Sequence, residues 1–140
     1  MKTRSEKFIL FYLGEDQYAL PALSANKFVE FGKLTPLPKV NKEIKGLIYH
    51  NGKIVTIIDT KKILKIKSLH KHTKALCLIF EVDDYYYGIS VDQGAETVAV
   101  DKIFNDRDKK IFKKYFKTKD KKKVYILEVD DILSQINIYD

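Results

Sequence analysis

The chain of 140 residues predicts a mainly β protein made of two similar small units, and three observations carry that expectation. Runs rich in strand-forming residues recur between short Gly, Asn and Asp turns. The stretch from Gly46 to Asp59 returns in altered form as Lys123-Val-Tyr-Ile-Leu-Glu128, both copies being apolar strands that end in an acid. The spacing is constant: Asp59 and Glu128 lie 69 positions apart, as do Leu64 and Leu133, and the same offset lays Asp16-Gln-Tyr18-Ala-Leu-Pro21 on Tyr85-Tyr-Tyr87-Gly-Ile-Ser90. Matches at one offset in separate places argue for an internal duplication, and two copies are too few for a solenoid, which needs about three. The length suits one domain, or two joined halves each marginal alone, so the halves should lean on each other.

The elements follow in order. Residues 1–7 read as a disordered lead-in. Phe8 to Leu13 reads as a strand, Gly14-Glu-Asp-Gln17 as a tight turn, and Tyr18 to Pro21 as the returning strand, which ends because proline cannot donate to a ladder. Ala22 to Asn26 allows one short helical turn before a strand at Lys27-Phe-Val-Glu-Phe31. Leu34-Thr-Pro-Leu-Pro38 should be extended, since a residue before proline is pushed out of the helical region, and Val40 to Ile44 should turn. The apolar runs flanking Asn51-Gly52 predict a hairpin with a type I′ turn, whose two central residues need positive φ. Asp59 is placed to cap a short helix reaching Leu64. Lys65 to Lys74, polar and basic, reads as the joint between halves. Beyond it, Ala75 to Val82, a turn at Asp83-Asp84, Tyr85 to Val91 and Gln93 to Val100 give three strands. From Asn105 to about Lys117 the period changes: Ile111, Phe112, Tyr115 and Phe116 fall at i, i+1, i+4 and i+5, which predicts a helix with lysines on its opposite face. Val124 to Val129 is the last strand, and Asp130 to Ile136 a closing helix.

The net charge of +7 is local: Arg107 to Lys123 holds ten basic and two acidic residues, leaving the remainder near −1. This stretch could serve nucleic acid, an acidic lipid surface or an acidic protein, or could be a solvated face. The excess of lysine over arginine weakens the nucleic-acid reading, because bidentate contacts favour arginine. No apolar run approaches the ~20 residues of a membrane span, and the N-terminus lacks the apolar core of a signal peptide, so a cytoplasmic protein is expected. Cys77, the sole cysteine, excludes an internal disulfide and reads as a buried small hydrophobe. Cys77 with His70 and His72 lacks a second cluster to complete a tetrahedral metal site. Asp130-Asp131 suits a helix dipole better than a cation. Gly46 and Gly52-Lys53 have the wrong spacing for a phosphate loop, which also requires Ser or Thr after the lysine. With no acid–base pair, nucleophile or metal set, neither an enzyme nor a cofactor is expected.

The order of these motifs resembles the CheW-like family of bacterial chemotaxis coupling domains. The matching residues are Phe8-x-x-Phe-x-Leu-Gly-Glu-x-x-Tyr-Ala-Leu-Pro21, Leu34-Thr-Pro-Leu-Pro38, Ile44-Lys-Gly-Leu-Ile48, Gly52-x-Ile-Val-x-Ile-Ile-Asp59, Gly88-Ile-Ser-Val-Asp92 and Tyr125-Ile-Leu-Glu-Val-Asp-Asp-Ile-Leu133. The resemblance implies two SH3-like five-stranded β-barrels within one domain spanning 8–140. The first would cover about 8–68 and receive the C-terminal helix at 130–138, and the second would cover about 74–129. It also implies a non-catalytic scaffold joining the cytoplasmic tip of a methyl-accepting chemoreceptor to the regulatory domain of the histidine kinase CheA. Such a protein would have no small-molecule substrate and would meet the membrane only through receptors. Members commonly carry Arg-Gly at the hairpin turn, where this chain has Asn51, and a Glu where it has Lys27, with Glu30 nearby. Lys27, Phe28, Glu30, Asn51, Val55 and Ile57 are the expected partner contacts, with Phe28, Val55 and Ile57 standing either on exposed strand surfaces or in the barrel core. The rival functions are an adaptor for another receptor–kinase system, such as twitching or gliding, and a basic barrel binding nucleic acid through Arg107 to Lys123.

Overall fold

The structure, a computed structural model, describes residues 5–38, 40–67 and 75–136. The first half holds β1 (Glu6–Leu13), β2 (Asp16–Pro21), β3 (Ala25–Glu30), β4 (Ile44–His50), β5 (Lys53–Ile58) and α1 (Thr60–Ile63). The second holds β6 (Leu76–Val82), β7 (Tyr85–Val91), β8 (Gln93–Val100), β9 (Phe104–Asn105), β10 (Lys114–Lys117), β11 (Lys123–Ile126) and α2 (Val129–Ile136). Turn chemistry explains the hairpins: Gly14 at φ 65, Asn51 and Gly52 at φ 50 and 75, and Asp83 and Asp84 at φ 50 and 67 supply the left-handed residues that tight hairpins require. Asp59 caps α1 by accepting the Lys62 N–H at 3.3 Å.

The described residues are mainly β, in two sheets. One has strand order β8-β1-β2-β11-β10-β9 and the other β3-β6-β7-β5-β4. The duplication extends beyond the motifs that revealed it. Advancing β1, β2, β3, β4 and β5 by 69 lands on β6, β7, β8, β10 and β11, and both sheets then have the same internal order. Each half lends its first hairpin to the other: β1–β2 pairs with strands of the second half, and β6–β7 with strands of the first.

The registers agree residue by residue. Val29 faces Cys77 and Val98 faces Phe8; Phe28 faces Leu78 and Thr97 faces Ile9; both ladders shift register at the same place. The parallel pairs Thr56–Tyr87 and Tyr125–Tyr18 correspond likewise. The irregular connection repeats too, with β4 one position out of the common offset: Ile48–Val55 matches Phe116–Val124, and the isolated bridge of Thr35 with Leu47 is the counterpart of Phe104 with Tyr115 on β9 and β10.

The exchange organises three cores. A central one lies between the sheets and contains Phe11, Leu20, Leu78, Phe80, Ile89, Leu127 and the helix residues Ile63, Ile132 and Ile136. A lateral core on the first sheet holds Phe8, Leu10, Phe116, Val124 and Ile126. Its image on the second sheet holds Cys77, Ile79, Ile48, Val55 and Ile57 in the corresponding positions. Burying each large apolar side chain is worth about 1.5–3 kcal/mol, so a half deprived of its partner's hairpin would lose much of its lateral core. The closing helix packs into the central core, and the Asn41 side-chain amide donates to the Ile136 carbonyl.

Three expectations are corrected. The expected division into 8–68 and 74–129 does not follow the sheets, because β1 pairs with β8 rather than with β3 of its own half. Glu6 and Lys7, expected in the lead-in, belong to β1 and pair with Val100 and Ala99. The helix expected from Asn105 to Lys117 is absent; β9, a loop and β10 take its place. Phe112 joins the central core while Phe116 joins the lateral one, whereas a helix would send both to one side. Phe112 adopts φ 51, and its N–H donates to Asp131 at 3.3 Å, anchoring the loop to α2. Residues 1–4, 137–138 of the expected closing helix, and 68–74 of the expected joint, with His70 and His72, lie outside the described residues.

Candidate functional site

Equivalent faces of the two sheets carry different chemistry. On the first sheet an aromatic ladder crosses neighbouring strands. Phe104 and Tyr115 lie 5.4 Å apart, Tyr115 and Tyr125 5.5 Å, and beyond Tyr125 its register partner Tyr18 stacks on Phe11 at 6.3 Å. Lysines cover this ladder from solvent. Lys109 lies 3.5 Å from the Tyr125 ring centre and Lys123 4.8 Å from that of Tyr115, while Lys102 and Lys117 lie 5.0 and 5.2 Å from that of Phe104. Cation–π attraction places ammonium groups over ring faces in this way.

The Tyr125 hydroxyl donates to Asp106 at 2.6 Å, and Asp106 also accepts the Asp108 N–H at 3.0 Å. The bond to Asp106 pushes the Tyr125 pKa up to about 12. The same hydrogen bond, followed by that from Asp108, lowers the Asp106 carboxyl. Burial, reinforced by Lys123 and opposed by Asp106, lowers the Lys109 ammonium.

On the second sheet the positions matching Lys117 and Lys123 are the cross-strand pair Tyr49 and Ile54. These are 79% and 51% exposed. One face therefore sets cations over aromatic rings, and the other presents Tyr49 and Ile54 to solvent. Next to Tyr49 a cleft of about 360 Å³ is lined by Glu30, Phe31, Lys33 and His50 among others.

The structure separates the six expected contacts. Lys27 and Glu30 are exposed on the edge strand β3, and Asn51 is exposed at the tip of the β4–β5 hairpin. The shared cleft brings Glu30 to the base of that hairpin end. Phe28 is half-buried, packed on the central core, and its ring would lie 3.0 Å from a Cβ placed on Gly94. Val55 and Ile57 take the core alternative: they are 1% and 0% exposed, inside the lateral core, because on β5 it is Ile54 that faces solvent. Tyr49 and Ile54 escaped the sequence reading although the alternation Ile54-Val55-Thr56-Ile57 offered the signal; both faces are apolar, so period two alone could not tell inside from outside.

Cys77 is fully buried, and burial pushes its thiol up to about 12. Among the described residues no group of three or more His, Cys, Asp or Glu side chains could hold a metal ion. Nor is any described helix long and apolar enough to cross a membrane.

The sequence profile of the CheW-like domain matches residues 7–137. The chain belongs to the CheW-like domain family. Among solved structures this CheW-like chain is similar to the scaffolding protein TtCheW from Thermoanaerobacter tengcongensis, with a TM-score of 0.80, 26% identity and 90% of each chain covered. No curated protein sequence matches it significantly. The architecture of two sheets and two short helices agrees with the CheW-like fold and its two subdomains.

Proposed function

We propose that this protein is a non-catalytic scaffold that couples the cytoplasmic tip of a chemoreceptor to the regulatory domain of the kinase CheA. The observation that carries the reading is the exchanged duplication. It makes one cooperative body bearing two geometrically equivalent faces, one setting cations over aromatics and one presenting Tyr49 and Ile54 to solvent. A coupler needs two surfaces held at a fixed distance and able to tell two partners apart, and unlike chemistry on like geometry supplies that discrimination. Family membership and the likeness to a scaffolding protein support the same reading. Lys27, Phe28, Glu30 and Asn51 remain the proposed partner contacts, with Tyr49 and Ile54 joining them, and the protein would work in the cytoplasm at receptor arrays.

The test is calorimetric titration of the purified protein with the CheA regulatory domain and with a receptor signalling tip from the same cell, at low and moderate salt. Binding to both, with weak salt dependence for at least one, is the expected result. Preference for the kinase of another motility system would move the adaptor to that pathway. Binding to neither would overturn the reading.

A further inference from the structure

The lateral cores open to solvent at equivalent mouths of different size. At the first sheet the cleft measures about 640 Å³ and receives lining residues from both sheet edges, β8 on one wall and β9–β10 on the other. At the second sheet the corresponding cleft measures about 360 Å³. The two mouths differ at one position that packs on the lateral core. Phe31 lines the smaller mouth and packs on its lateral core; Val100 occupies the equivalent place in the larger one. Their equivalence rests on pairing, since Val100 faces Glu6 and the Phe31 N–H donates to Ala75, the residue 69 positions beyond Glu6. The smaller mouth carries a phenyl ring where the larger one carries an isopropyl group.

We propose that the open mouth of the first sheet docks an acidic polypeptide segment by burying one of its apolar side chains. Its floor is apolar, made by Leu10, Val98, Val100 and Phe116, and its volume falls in the range of pockets that enclose a small organic group. The β10 wall carries Lys117 and Lys119 and leads into the basic stretch, with Lys102 beside Phe104. The β8 side carries the acids Glu96 and Asp101. An acidic segment therefore lies with its carboxylates toward β10, and the opposing acids fix its direction.

The same geometry disfavours single-stranded nucleic acid, whose bases need open aromatic faces. The Phe104 ring already has Lys102 and Lys117 over it at 5.0 and 5.2 Å. The mouth borders the cationic face and shares Lys102, Phe104 and Lys117 with it, but its test uses neither receptor nor kinase, so its failure and that of the coupling role are distinguishable.

The test is fluorescence anisotropy of the full-length protein with a labelled glutamate-rich peptide carrying one central leucine. Two further probes are the same peptide with serine for leucine and a labelled single-stranded oligonucleotide. The acidic leucine peptide should bind, and the serine peptide should bind about tenfold more weakly, corresponding to ~1.4 kcal/mol. Val100→Phe, which copies the residue of the smaller mouth and fills the apolar floor, should weaken the leucine peptide by a similar factor while keeping the thermal midpoint near that of the unaltered protein. Should Val100→Phe fail to fold, exposed Lys117→Glu with Lys119→Glu provides the second variant, and it must also weaken the peptide. Equal affinity for the leucine and serine peptides, no effect of either variant, or tighter binding of the oligonucleotide would overturn the proposal.

Discussion

A Cβ atom on Gly46 would lie 2.7 Å from the carbonyl oxygen of Thr35, closer than any side chain can sit. Gly46 also has φ 148, a conformation that L-residues avoid. This contact lets the segment after β3 bridge to Leu47, with N–H···O distances of 2.9 and 2.8 Å. Gly46→Ala should therefore destabilise the protein by about 3 kcal/mol, combining backbone strain with a clash against an atom that cannot swing away. Gly32→Ala, where a Cβ meets open space, should be near neutral. Urea unfolding of both variants checks the contrast.

Because each half lends its first hairpin to the other, the two halves should unfold as one unit. Cutting the connection between Lys67 and Ala75 should leave the fragments associated through size-exclusion chromatography. Neither fragment alone should show a cooperative thermal transition. Independent folding of either half would contradict the exchange.

Tyr125 should titrate at about 12, held up chiefly by its bond to the Asp106 carboxylate. Subtracting the alkaline absorbance titration of Tyr125→Phe from that of the native protein isolates this residue, and Asp106→Asn should return it toward the ordinary range near 10. Asp106 provides the acid side of the same pair. Its folded pKa is lowered, so its contribution to stability is complete above the ordinary carboxyl range and is lost as pH falls through the folded value. Asp106→Asn should remove that part of the acid dependence of unfolding.

Cys77 should resist thiol reagents in the native protein and react only on unfolding, since burial raises its pKa from 9.0 to about 12. The sign of the linkage follows. The unfolded thiol ionises first, so this group's contribution is full below pH 9.0 and erodes as pH rises toward 12. Labelling with a chromogenic disulfide, with and without urea, gives the check.

Lys27→Glu, on an exposed strand position, should change stability by less than about 0.5 kcal/mol. Asn51→Arg, at φ 50, should cost about 1 kcal/mol, because only Gly and Asn occupy that region easily. Both should alter affinity for array partners well beyond these small costs. Unchanged binding to the kinase domain and to the receptor tip would remove the two residues from the contact surface.

The sequence by itself determined the hairpin strands outside β9 and β10, their turns and the duplication. Strand formers between Gly, Asn and Asp punctuation are local signals, as is the positive φ demanded of Asn51 and Gly52, and the offset of 69 was visible in Asp59 and Glu128. Only the tertiary structure decided which strands met. Nothing local in β1 says whether it pairs with β3 or with β8, since β8 meets β1 in the register in which β3 meets β6. The same limit misread Phe112 and Phe116: their spacing fits one helical face, yet they enter different cores. It also left Val55 and Ile57 ambiguous, because β5 is apolar on both sides and burial depends on what packs against each. The open mouth at Val100 became visible only through its smaller twin at Phe31, a comparison that required both registers. Periodicity and turn chemistry are written residue by residue, whereas partner choice and burial arise from contacts between residues far apart in the chain.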